Sequence, residues 1–217
     1  METMKPILFS TPMVRAILAG NKTQTRRVIK PQPVLDGDRL IYDRRIKGRK
    51  VYVEVPDKFV EVAPTFAPYQ VGDTLWVRET WREKISTVCD VCAIRNPTRA
   101  CKSKCAEYLY RADTDCKLQL KWKPSIYMPL AAARIFLRVT GVRVERLCSI
   151  TEADAEKEGC PKTFNPANGK LVARAREEFQ DVWNKINAKR GFGWMTNPWV
   201  WVYSFNIERI IKQNELQ

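Results

Sequence analysis

The run Trp199-Val-Trp-Val-Tyr-Ser-Phe-Asn-Ile207 alternates without a slip, with Trp199, Trp201, Tyr203, Phe205 and Ile207 on one face and Val200, Val202, Ser204 and Asn206 on the other. Strict period-two alternation of aromatic and β-branched residues predicts a strand, and an apolar face this wide demands cover from the rest of the chain. Shorter strands are predicted over residues 5–9, over 75–78 after the Val71-Gly72-Asp73 turn, and over 135–144, with Gly141 as a bending point. Ser10-Thr11-Pro12 opens a helix whose apolar face is Met13, Val14, Ile17 and Leu18 and which stops at Gly20. Thr151-Glu-Ala-Asp154 begins a short capped helix running to Gly159. Leu171, Ala175, Phe179, Val182, Trp183 and Ile186 mark a longer amphipathic helix closed by Gly191. A basic hairpin is expected around Gly48, followed by an irregular loop over 56–68. Strands and helices without regular βαβ alternation point to an α+β fold with a small curved sheet or barrel. The expected organisation is one domain over 1–217, carrying insertions at about 36–66 and about 84–106.

The second insertion holds Cys89, Cys92, Cys101 and Cys105, four of the chain's seven cysteines. A C-x2-C pair sets two thiolates on one tight turn, and a returning loop can complete a tetrahedral four-thiolate zinc site. Such a site is structural, because four thiolates leave no open position for a catalytic water. Reduced thiols and a disulfide framework are the alternatives. The opening Met1-Glu-Thr-Met4-Lys-Pro6 has no apolar signal region and no long apolar run follows. The expectation is therefore a cytoplasmic protein without membrane association, in which disulfides are unusual.

The chain contains no histidine. That excludes Ser-His-Asp and Cys-His nucleophile systems, HExxH metalloproteases and His-ligated zinc. Catalysis, if present, runs on Lys, Glu, Asp, Thr, Ser, Tyr or Cys. Thirty-eight Lys and Arg against 24 Asp and Glu give a formal charge of +14. An excess of this size favours a polyanionic partner, since neutralising phosphates releases counterions; a generally basic, solubilising surface is the alternative. The candidate nucleic-acid contacts are Arg44, Arg45, Lys47, Arg49 and Lys50 in the hairpin, Arg95, Arg99, Lys102 and Lys104 in the cysteine insertion, and Arg26 and Arg78.

Several segments carry a family resemblance. The order strand, helix, Gly20-x-Lys22-x-x-Thr25-x-Arg27, a Gly72-Asp73 turn into a strand, a helix led by Thr151-Glu152 and a final aromatic strand resembles the ASCH family of PUA-like barrels. Pro6-Ile-Leu-Phe-Ser10, Lys22-Thr-Gln-Thr-Arg-Arg27, Leu75-Trp-Val-Arg-Glu-Thr-Trp81 and Asn197-Pro-Trp-Val-Trp-Val202 are similar to the long ASCH proteins of bacteriophages and prophages. The broad family has Glu where Thr25 stands. Bacterial N4-acetylcytidine amidohydrolases share the Thr, and their catalytic Glu falls in a short helix similar to Thr151-Glu-x-x-Ala-Glu-x-Glu158. The resemblance implies a PUA-like barrel with flanking helices and Lys22, Thr25, Arg27 and Glu158 as a working group. It also implies a modified nucleoside or nucleic acid, RNA before DNA, as the partner.

The chemistry of those residue types is consistent with such a group. A Thr hydroxyl is a weak nucleophile that needs a base, and a desolvated Lys can supply it. Arg27 could stabilise an oxyanion and Glu158 could protonate a leaving amine. Strict alternation sets Lys22 opposite Thr25 and Arg27, so convergence requires Lys22 to lie in the turn after the first helix. The same residues serve a non-catalytic nucleic-acid-binding module or a ribonuclease, and a strand with a solvated basic rim is the bland alternative.

Overall fold

A computed structural model describes residues 4–36, 39–46, 49–53, 63–83, 108–113, 121–164 and 171–211; for residues 34–53 and 63 it describes the backbone alone. The fold is α+β. The chain divides into two compact units, the first formed by Met1–Leu18, Thr74–Arg138 and Ile207–Gln217, the second by Ala19–Asp73 and Val139–Asn206. No helix among the described residues is long and apolar enough to cross a membrane.

The first unit contains β1 (Met4–Leu8), α1 (Thr11–Leu18), β6 (Thr74–Arg78), β7 (Trp81–Glu83) and β8 (Tyr108–Tyr110), with the opening residues of β9 (Ile135–Arg146). β1 pairs parallel with β6, Met4 opposite Thr74, and β6 pairs antiparallel with β9, Thr74 opposite Arg138. The expected alternation on β6 holds: Leu75 and Val77 are buried, while the Arg78 guanidinium lies 5.3 Å from the Trp76 ring centroid. Arg134 is bidentate on Glu79 at 2.8 and 3.0 Å, and its guanidinium stands 4.0 Å from the Tyr110 ring. This buried pair keeps both charges hydrogen-bonded, without which their burial would carry a large desolvation penalty.

The second unit contains β2 (Gln24–Val28), β3 (Val34–Asp36), β4 (Arg39–Ile46), β5 (Arg49–Val53), α2 (Glu152–Lys157), β10 (Thr163–Phe164), β11 (Leu171–Ala173) and α3 (Ala175–Asn187). It also takes most of β9 and of β12 (Trp199–Ile210). Hydrogen bonding orders five strands as β1-β6-β9-β12-β2, while β3-β4-β5 form a separate meander that contains the expected basic hairpin. Val200 and Val202 of β12 pack with Phe179 and Trp183 of α3, Ala155 of α2, and Leu147, Ile150 and Trp194. Trp201, Tyr203 and Phe205 on the opposite face are buried as well, so both faces of this strand are covered. Leu171 departs from the expected helical stripe and stands on β11, exposed. α3 starts only at Ala175, where the Glu177 carboxylate accepts from the Arg174 backbone N–H at 2.9 Å and anchors the first turn.

Candidate functional site

Two glycines with positive φ shape the segment that carries the site: Gly20 at +76° ends the turn before Lys22, and Gly159 at +86° ends the chain's path out of α2. A side chain with a Cβ is strained at such angles, which explains glycine at both corners. Between these corners Lys22 and Glu158 form an isolated antiparallel bridge, and the Thr23 N–H donates to the Lys157 carbonyl at 2.8 Å. Lys22 therefore lies outside β2, in an isolated bridge beyond the turn at Gly20. α2 is capped by the Thr151 hydroxyl, which accepts from the Asp154 N–H at 3.1 Å, and this sets Glu158 at the helix's C-terminal end.

Lys22 Nζ donates to Glu158 Oε2 and to the Glu158 carbonyl, both at 2.7 Å, with the two residues 1% and 5% exposed. Arg26 Nη1 donates to the other carboxylate oxygen at 3.1 Å. Arg26 is in turn held by Glu145 and Asp154, and both of those carboxylates accept from Arg143. Three cations thus interlock with three carboxylates. Burial holds the Lys22 ammonium below its usual proton affinity; Glu158 opposes that shift and Arg27 adds to it. A lysine so placed can shed a proton more readily than one in water.

The opposite face of β2 is different in character. Thr25 pairs with Tyr203 and Arg27 with Trp201 across the β2–β12 ladder, so these four side chains project to one side, while Gln24, Arg26 and Val28 project to the other. A cleft of 260 Å³ opens on this side between Arg27, Lys30, Tyr69, Trp201 and Tyr203, with Val28 and Pro68 completing its wall. The Tyr69 and Tyr203 rings meet edge-on at 5.1 Å and 66°. Burial lowers the Arg27 guanidinium from its usual value, an effect offset by Tyr69, Glu158 and Tyr203, and burial raises the Tyr69 hydroxyl against the pull of Arg27. Lys22, Arg27 and Glu158 therefore interact electrostatically, with Thr25 buried on the Arg27 side of the same strand.

The two cysteines among the described residues are poor competing nucleophiles. Burial pushes the Cys160 thiol, the neighbour of Lys22, up to about 11, and burial also raises Cys148. Neither is a thiolate at neutral pH, and the thiolate is the reactive form.

The remaining sequence candidates distribute as follows. Arg26, expected to meet phosphate, is 4% exposed and engaged by Glu145, Asp154 and Glu158, with the Phe179 ring 5.8 Å from its guanidinium. Arg78 donates to the carbonyls of Met128, at 3.1 Å, and Ile126. Arg44 and Arg45 lie on β4, Arg49 and Lys50 on β5, with the backbone alone described. Lys47, Arg95, Arg99, Lys102, Lys104, Cys89, Cys92, Cys101 and Cys105 fall outside the described residues. Sequence reasoning missed the cleft walls Lys30, Tyr69, Trp201 and Tyr203. The alternation of β12 already grouped Trp201 with Tyr203; what was missing was the register that sets Arg27 beside them.

No family model matches the chain, and no curated protein matches it. Among solved structures, the crystal structure of protein EF3133 from Enterococcus faecalis V583 (family-model DUF984) is similar over 98% of this chain and 86% of that one, with a TM-score of 0.42 and 8% sequence identity.

Proposed function

We propose that the chain is an ASCH-type protein with a PUA-like barrel that takes one modified nucleoside or nucleotide unit into the Arg27 cleft and hydrolyses an N-acyl amide on its base. The observation that carries this reading is the buried Lys22–Glu158 pair at 2.7 Å, electrostatically coupled to Arg27 in an aromatic cleft. At 260 Å³ the cleft falls just below the range of small-molecule sites, roughly 300–1,000 Å³, which suits a ligand no larger than one base with its sugar. Tyr69, Trp201 and Tyr203 offer aromatic surface for it.

In this mechanism the Thr25 hydroxyl attacks the acyl carbonyl carbon while neutral Lys22 takes its proton. The developing oxyanion meets the Arg27 guanidinium. Collapse breaks the C–N bond, and the proton passes through the Lys22–Glu158 hydrogen bond to the departing amine. Water then cleaves the Thr25 ester, releasing a carboxylic acid and restoring the hydroxyl. Incubating the protein with a panel of acylated and methylated nucleosides and following it by mass spectrometry is expected to show loss of the acyl group from an N4-acetylcytidine-like member. A panel recovered without any mass change would remove the enzymatic part of the reading.

The charge of +14 favours a second reading, a non-catalytic module or ribonuclease that holds RNA or DNA. If the hairpin and insertion bases make about six phosphate contacts, the association constant is expected to fall on the order of 10³-fold between about 50 and 200 mM salt. Filter binding across that range checks this, and absence of binding at low salt would confine the partner to a small molecule. In the same proposal Cys89, Cys92, Cys101 and Cys105 hold one structural zinc. Metal analysis of reduced protein should return about one equivalent, lowered by Cys89→Ser; folded, metal-free, chelator-insensitive protein would exclude the site. The setting in this reading is the cytoplasm of a bacterial host, with a phage or prophage origin.

A further inference from the structure

Lys30 belongs to neither the sequence candidates nor the buried ionic cluster, yet it lines the cleft with Arg27. The chain on either side of it is held in position. Gln32 Nε2 donates to the Ile29 carbonyl at 2.7 Å and to the Trp199 carbonyl at 3.0 Å, and Gln32 Oε1 accepts from the Trp199 N–H at 2.8 Å. The exposed side chain is oriented too: its Nζ stands 5.0 Å from the Phe192 ring centroid. Phe192 is itself tied to α3, its carbonyl accepting from Trp183 Nε1 at 2.8 Å and its N–H donating to the Asn187 carbonyl at 3.2 Å. A long, flexible lysine normally loses considerable rotamer entropy on engaging a ligand, and a side chain already laid along a fixed ring loses less. The cleft therefore presents a prearranged ammonium at its rim, the Arg27 guanidinium from β2, three aromatic rings, and no carboxylate among its lining residues.

We infer that the cleft's ligand is a nucleotide and that Lys30 recognises its phosphate, the base lying against the aromatic wall and Arg27 remaining with the reacting group. This inference rests on the proposed base-binding role of the cleft and adds the ligand's charge class to it. A neutral nucleoside would leave the Lys30 ammonium with no counterpart, whereas a phosphate at the rim forms a charge-assisted hydrogen bond that an amide or hydroxyl cannot match. A free mononucleotide and the 5′ end of a strand present the same phosphate, so the chemistry recognised is the same.

The test is calorimetric titration of the protein with the four ribonucleosides, N4-acetylcytidine and the 5′-monophosphates of all five, at low and high salt. For the preferred base the monophosphate is expected to bind roughly tenfold more tightly than the nucleoside, with the advantage shrinking as salt rises. A short oligonucleotide carrying a 5′-phosphate, compared with the same strand lacking it, distinguishes strand ends from free nucleotides. Lys30→Gln should bring nucleoside and monophosphate to parity without affecting folding, because the residue is exposed; Lys30→Arg should preserve the preference. Parity in the wild-type protein, or a preference that survives Lys30→Gln, overturns the inference and leaves the base-binding reading standing. Failure of every nucleoside and every monophosphate to bind overturns both.

Discussion

Glu158→Ala is expected to destabilise the protein by about 3–5 kcal/mol, the usual consequence of leaving buried charge without its partner. Glu158 is 5% exposed and accepts from both Lys22 and Arg26, which are 1% and 4% exposed. Removing it takes the carboxylate from the buried Lys22 ammonium, while Arg26 keeps Glu145 and Asp154. For a chain of this size the loss corresponds to a fall in melting temperature of roughly 6–20 °C. Lost packing would also destabilise, so the diagnostic comparison is the double variant Lys22→Met with Glu158→Leu. Replacing a buried ion pair by apolar groups of similar volume is often neutral, and this variant should be more stable than Glu158→Ala alone. Urea denaturation of the set measures the difference. A Glu158→Ala protein within about 0.5 kcal/mol of wild type, the range of an ordinary surface substitution, would show that the pair is not buried as described.

Thr25→Val and Lys22→Met should each lower turnover of an authenticated N-acyl substrate by at least about 10³-fold, the scale of losing a nucleophile or its base. The pH dependence supplies the sharper reading. Burial holds the Lys22 ammonium below the ordinary lysine value of 10.5, so the neutral, base-competent amine should accumulate at a pH lower than for a lysine in water. Activity, as kcat/KM, is expected to rise with pH through that lowered pKa and level off before 10.5. Lys22→Arg, which keeps the charge but cannot shed it, should be inactive at every pH. The linkage has a definite sign. Between the lowered folded-state pKa and 10.5 the unfolded chain holds a proton that the folded chain has released, so the Lys22 contribution makes stability rise with pH in that window. An alkaline limb centred at or above 10.5, or Thr25→Val retaining full turnover, would defeat this mechanism.

Much of the framework was legible because its signals are local. The alternation of residues 199–207, the Thr151 cap, the Gly72-Asp73 turn and the glycine stops each follow from a few neighbouring residues, and each corresponds to an element observed here. Leu171 was misread because it falls four residues before Ala175, a spacing that fits a helix as well as it fits a strand followed by a helix start. The antiparallel pairing of Leu171 with Phe164 and the hydrogen bond closing the first turn at Arg174 distinguish the two.

The neighbouring arginines show where local reasoning stops. Arg26 and Arg27 are chemically identical and adjacent, and alternation along β2 requires only that they face opposite ways. It does not say which faces the carboxylates. That was decided by the register against β12, which sets Arg27 beside Trp201, and by α2 and β9, which supply the carboxylates that enclose Arg26. Composition and motif alone determined that histidine chemistry is excluded, that the chain is strongly basic, and that Lys22, Thr25, Arg27 and Glu158 merit attention as a group. Tertiary structure decided that Lys22 and Glu158 share a buried hydrogen bond and that Tyr69 meets Tyr203 at the Arg27 cleft. The reason is physical: burial and the electrostatics it amplifies depend on segments far apart in the chain, and no local pattern records which of them will meet.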